Sequence, residues 1–133
     1  MNIFNILKTA PLSMAKILIA DDSDAIRLVL RDILSIGDHD VLSEACDGAE
    51  AVDMYKEHKP EILLLDLAMP KKDGLTVVKE VIQFDPNAKI ILITASDDQK
   101  VIHQCMEQGA VSYISKPFDF NGVLKAISDN LAK

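Results

Sequence analysis

Two adjacent aspartates, Asp21 and Asp22, follow directly on the apolar run "KILIA" (16–20). A third, Asp66, ends "EILLLD" (61–66), Thr94 ends "KIILIT" (89–94), and Lys116 ends "VSYISK" (111–116) ahead of Pro117. Singly, each has an ordinary structural use. Asp21, Asp22 or Ser23 suits a helix N-cap, Asp66 a turn acid before Pro70, Thr94 a β-former and Lys116 an exposed strand end. Jointly they pose an electrostatic problem. Three carboxylates brought together repel, so one must be protonated or paired. One lysine offsets that charge only in part, whereas a hard divalent cation prefers carboxylate oxygens.

The acids are dispersed along the chain, unlike the single ligand loop of an EF-hand, which favours Mg2+ over Ca2+. Mg2+ takes one or two carboxylates and phosphoryl oxygens, so the set points to phosphate chemistry. There is no G-x-x-x-x-G-K-[ST] loop and no glycine-rich turn after the first apolar run, which argues against nucleotide sites. His39, His58 and His103 fall away from the strand ends and are expected on the surface or on helix faces, which removes a Ser-His-Asp reading. What remains is a carboxylate that itself receives a phosphoryl group. Such a transfer needs a cation, a cationic side chain and a donor at the phosphoryl oxygens. Mg2+, Lys116 and Thr94 would supply them.

These residues meet only if the intervening elements bring them together. Apolar runs alternate with helical patterns from Lys16 onward. Helical stripes are expected at Ile26, Val29, Leu30, Ile33 and Leu34; at Ala51, Val52 and Tyr55; at Leu75, Val78 and Ile82; at Val101, Ile102, Cys105 and Met106; and at Phe120, Leu124, Ile127 and Leu131. Gly37 is expected to stop the first helix with positive φ, "DG" (47–48) to form a turn, and Pro60 to bar continuation of the second helix. The first, third and fourth runs are the most apolar and belong in the middle of a sheet covered on both faces. "VLSEAC" (41–46) and "VSYISK" belong at its edges. The expected fold is therefore α/β, a doubly wound flavodoxin-like (βα)5 with a five-stranded parallel sheet of order 2-1-3-4-5. In such sheets ligands bind outside the strand carboxyl ends, where the strand order reverses.

The 133-residue length suits one domain. The formal net charge of −7 argues against nucleic acid as a partner. Residues 1–13 hold too few apolar residues for a membrane span and lack the basic n-region of a signal peptide. They are read as a loose leader, with a short amphipathic docking segment as the alternative, ahead of a folded unit over 14–133. Cys46 and Cys105 are expected to be buried free thiols in a reducing compartment, with a single disulfide left open.

The stretches "ADDSD", "LLLDLAMPKKDG", "LITAS" and "YISKPF" together resemble the receiver domains of two-component response regulators, most of all the stand-alone chemotaxis-type (CheY-like) members. The resemblance covers Lys16 to Lys133. It implies Asp66 as phosphoacceptor, Asp22 as direct metal ligand, Asp21 as holder of metal-bound water, and the backbone carbonyl of Ala68 as a further metal ligand. It implies Mg2+ as cofactor, with Mn2+ as a substitute. It gives Lys116 a contact to the phosphoryl group, with a cis bond to Pro117, and makes Thr94 and Tyr113 a switch pair beside the small Ala95. Tyr113 alone would pass as a half-buried strand aromatic. Ala68 and Ser96 stand where the family tunes dephosphorylation.

The resemblance further implies a histidine kinase as phosphodonor and a protein target bound through helix 4, strand 5 and helix 5. A cytoplasmic, monomeric signalling switch follows, with no membrane or nucleic-acid partner and no output domain after the fifth helix. Alternatives are a phosphorelay intermediate or an aspartyl-phosphate hydrolase. Ala68, two residues past Asp66, counts against the hydrolase, which commonly carries an acid there.

Overall fold

The computed structural model describes residues 14–95 and 99–131. The leader, residues 1–13, and Ser96 lie outside the described residues. Among the described residues five strands alternate with five helices: β1 (Lys16–Ala20), α1 (Asp24–Ile36), β2 (Asp40–Ala45), α2 (Gly48–His58), β3 (Ile62–Asp66), α3 (Gly74–Phe84), β4 (Ile90–Thr94), α4 (Gln99–Glu107), β5 (Ser112–Ser115) and α5 (Phe120–Leu131). The strands form one parallel sheet in the order β2-β1-β3-β4-β5. This is the flavodoxin-like (βα)5 arrangement expected from the apolar runs.

The reason lies in the period of two along a strand. In β1, Leu18 faces one core and Ile17 and Ile19 the other. Leu63 and Leu65 of β3 and Leu92 of β4 join Leu18 against α2, α3 and α4, with Val52, Tyr55, Val78 and Cys105. Ile62, Leu64, Ile91 and Ile93 face α1 and α5, meeting Leu30, Leu34, Val123 and Ile127. Both faces are covered, so β3 and β4 are buried along their whole length. A run of consecutive branched residues is then the stable choice.

Several expectations are corrected. Gly37 has φ −83°, and Asp38 takes the left-handed turn with φ 61°. A Cβ on Gly37 would lie 2.5 Å from Leu124 Cδ2, so a larger residue there would have to displace that side chain. Asp47–Gly48 is no free turn. Asp47 caps α2 by accepting the Glu50 N–H at 2.8 Å, and Gly48 begins the helix. Val29 and Phe120 are exposed, because the buried stripes run through Leu30, Ile33 and Leu34 in α1 and through Val123 and Ile127 in α5. Cys46 is exposed, since β2 ends one residue earlier; Cys105 is buried, and both thiols are free. Its apolar surroundings push the Cys105 thiol up to about 11.

His58 and His103 lie exposed on α2 and α4. His39 departs from expectation. It sits in the α1–β2 connection, partly buried, and its Nδ1 accepts the Ala15 N–H at 3.0 Å.

Candidate functional site

The carboxyl ends of β1, β3, β4 and β5 share one rim of the sheet. Asp21 and Asp22 follow β1, Asp66 and Thr94 are the last residues of β3 and β4, and Lys116 follows β5. The register Ala20↔Leu65, Asp66↔Ile93 and Thr94↔Ser115 sets these ends side by side. A cavity of about 550 Å³ opens there, lined among others by Asp22, Asp66, Ala68, Thr94, Ala95 and Lys116.

Asp21 is fully buried, and both carboxylate oxygens are engaged. Oδ1 accepts the Ser23 N–H at 2.8 Å, and Oδ2 accepts from Lys116 Nζ at 3.2 Å. Asp66 is also buried. Its Oδ1 accepts the Ala68 N–H at 3.3 Å and lies 3.6 Å from Lys116 Nζ. Asp22 is exposed. One ligand oxygen from each of Asp21, Asp22 and Asp66 lies within 4.8 Å of the others, a separation that one cation can span. Burial and the charge of Asp21 push the Asp66 carboxyl above its ordinary value; Lys116 and the Ala68 N–H pull the other way, and Asp22 adds a smaller upward push. In the protein alone, Asp66 is thus a carboxylate whose charge is poorly compensated.

Thr94 is buried at the same rim, and its carbonyl accepts the Lys116 N–H at 2.7 Å, which ties β4 to the lysine-bearing turn. The Lys116–Pro117 peptide is cis. Tyr113 is 45% exposed, a half-buried aromatic on the edge strand. The loop after β3 is fixed by a close approach. A Cβ on Gly74 would lie 2.8 Å from Leu67 Cα, so any larger residue would push the loop from its seat.

A second potential ligand group, Cys46, Asp47 and Glu50, is occupied structurally. Asp47 caps α2 and pairs with Lys71 at 3.3 Å, and Glu50 accepts the Cys46 N–H at 3.1 Å. The sequence reading passed over Arg27, whose Nη1 donates to the Asp21 carbonyl at 2.6 Å. The available signal was a lone basic residue one helical turn into a stretch holding three acids, "DDSDAIR".

Fold and rim together define a doubly wound α/β protein with an acidic, lysine-bearing pocket at its topological switch point. Comparison with known proteins narrows this further. The chain belongs to the response regulator receiver domain family, which it matches over residues 17–128. It is 40% identical over 116 residues to the chemotaxis protein CheY of Bacillus subtilis, covering 87% of this chain and 97% of that protein. It is 40% identical over 119 residues to CheY of Halobacterium salinarum, covering 89% and 98%. A chain in the crystal structure of the CheX-CheY-BeF3-Mg+2 complex from Borrelia burgdorferi superposes with a TM-score of 0.85 at 35% identity, covering 89% of this chain and 90% of that one. The protein is thus a CheY-like receiver, a class of signalling switch. No helix among the described residues is long and apolar enough to cross a membrane.

Proposed function

We propose that the protein accepts a phosphoryl group on Asp66 from a histidine kinase, with Mg2+ as cofactor, and passes the signal on by protein–protein contact. The observation that carries this reading is Lys116 Nζ poised between Asp21 and Asp66, 3.2 and 3.6 Å from their oxygens. A lysine held there can meet a phosphoryl oxygen at the moment Asp66 acquires the group.

Asp21, Asp22 and Asp66, with the backbone carbonyl of Ala68, would hold Mg2+. When bound, the ion supplies charge neutralisation at the phosphoryl oxygens. The donor set fits: it is all oxygen, three carboxylates and a carbonyl, with Asp22, Asp66 and Ala68 lining the cavity and Asp21 buried behind them. A carboxylate oxygen of Asp66 attacks phosphorus in line. The P–N bond of the donor phosphohistidine breaks, and its electron pair stays on the imidazole. Lys116 stabilises the equatorial oxygens, and the Thr94 hydroxyl donates to one of them.

Thr94 and Tyr113 then act as the switch pair. The output face is formed by α4, β5 and α5, and it meets a protein target in a chemotaxis-type pathway. The Borrelia burgdorferi complex named above, which includes CheX, BeF3 and Mg2+, supports both the cofactor and a protein partner. A monomeric, cytoplasmic protein is the form in which we place this activity, with the folded unit running from 14 to 133. Ala68, where aspartyl-phosphate hydrolases commonly carry an acid, argues for a switch over free-substrate turnover.

The test is labelling with acetyl phosphate and Mg2+. The wild type should gain one alkali-labile phosphoryl group and Asp66→Asn none, because an amide is a poor nucleophile. Equal labelling of both would reject Asp66.

A further inference from the structure

We propose that Arg27 is a positioning residue for the cation site: it locks the peptide joining Asp21 to Asp22 and so aims both carboxylates before the ion arrives. This rests on the reading that Asp21 and Asp22 hold Mg2+.

Arg27 Nη1 donates to the Asp21 carbonyl at 2.6 Å. Its Nε donates to Glu44 Oε1 at 3.2 Å, and Glu44 Oε2 lies 3.2 Å from Nε of Arg31. Nη2 also meets Asp24, but that acid is 94% exposed, so the pair is strongly screened. The Arg27 side chain itself is only 15% exposed.

The geometry gives these contacts their meaning. β1 ends at Ala20, so the Asp21 carbonyl has left the β-ladder and needs another donor. A peptide is planar. Holding the Asp21 carbonyl therefore also orients the Asp22 N–H and fixes where the Asp22 Cα points. Asp21 has further anchors, in the Ala45 carbonyl, the Ser23 N–H and Lys116. The Asp22 side chain is exposed, so its aim depends on the backbone beneath it. The planar fork of an arginine can serve the carbonyl and Glu44 at once. A lysine ammonium offers a compact point charge and would serve one of them well.

The experiment separates positioning from charge by sign. Arg27→Gln removes a positive charge beside a cation site, so electrostatics alone predicts tighter Mn2+ binding. Positioning predicts weaker binding, by about 10-fold or more, the size of effect that outer-sphere partners have on metal affinity. Mn2+ affinity is read from paramagnetic broadening of backbone amide resonances, at a temperature where circular dichroism shows each variant folded. Arg27→Lys keeps the charge and should also bind more weakly than wild type, though less so than Arg27→Gln. Labelling by acetyl phosphate should slow at low Mg2+ and recover at saturating Mg2+. Wild-type affinity in both variants, even with a lowered melting temperature, would reduce Arg27 to a tie between α1 and β2 and overturn the proposal. Should Arg27→Gln not fold, Arg27→Lys decides alone. No saturable binding by the wild type would instead overturn the metal reading itself, and this proposal with it.

Discussion

The ammonium of Lys116 lies 3.2 Å from Oδ2 of Asp21, a residue 95 positions earlier in the chain. The same ammonium is 3.6 Å from Asp66, so one cation is shared by two buried carboxylates on neighbouring strands. This contact ties the last strand to the first across the rim of the sheet.

Lys116→Met should leave Asp21 and Asp66 buried without that cation. A stability loss of about 3 kcal/mol is expected, because removing one partner of a buried ion pair leaves the other charge uncompensated. Urea denaturation in EDTA measures it. An unchanged midpoint would mean that the lysine offsets little of the charge.

Asp66→Asn should stabilise the metal-free protein. The folded state raises the Asp66 pKa, so it binds more protons than the unfolded chain at pH values above the unfolded value of 3.8. Stability therefore falls as pH rises through that window, and at neutral pH the charged carboxylate costs stability. Removing the charge should gain about 1 kcal/mol, as substitutions that trade function for stability do. Asp22→Asn should gain less, because Asp22 is exposed and contributes least to the shift. A fall in melting temperature for Asp66→Asn in EDTA would count against the repulsion argument.

His39 should make stability sensitive to mild acid. Burial holds its pKa below the unfolded value of 6.5, against opposing pulls from Asp38 and Glu61. Its Nδ1 also accepts the Ala15 N–H, which requires that nitrogen to be unprotonated. Below pH 6.5 the unfolded chain takes up protons that the folded state resists, so stability is full above that value and declines as pH falls toward the folded pKa. His39→Gln should flatten this slope in denaturation curves taken between about pH 5 and pH 7.5. An equal slope in the variant would assign the effect to other groups.

Thr94→Ala and Tyr113→Ala should leave phosphorylation of Asp66 possible while uncoupling it from target binding. A partner can report the phosphorylated state only through differential affinity, and such coupling is typically worth about 1–3 kcal/mol. Tyr113 begins exposed, so its ring has room to change position. The measurement is target affinity with and without phosphodonor. Wild-type affinity ratios in both variants would remove the α4–β5–α5 surface from the output path.

Much of this was legible in the residues. "KILIA", "EILLLD" and "KIILIT" have no polar face, so they must lie in the middle of a two-sided sheet; short right-handed crossovers make that sheet parallel, so Asp21, Asp22, Asp66 and Thr94 end at one rim, and the order 2-1-3-4-5 is that of the flavodoxin-like fold. The sequence by itself determined the fold class and which side chains stand at the strand ends, because hydrophobic periodicity is a local property that can be read along the chain. Which contacts those side chains make was decided by tertiary structure. That Arg27 reaches the Asp21 carbonyl, that Asp38 rather than Gly37 turns left-handed, that Cys46 is exposed while Cys105 is buried, and that Tyr113 stays half exposed all depend on neighbours distant in the chain or on where a strand stops. Polar reach and local crowding leave no periodic trace, so they become definite only once the elements are packed.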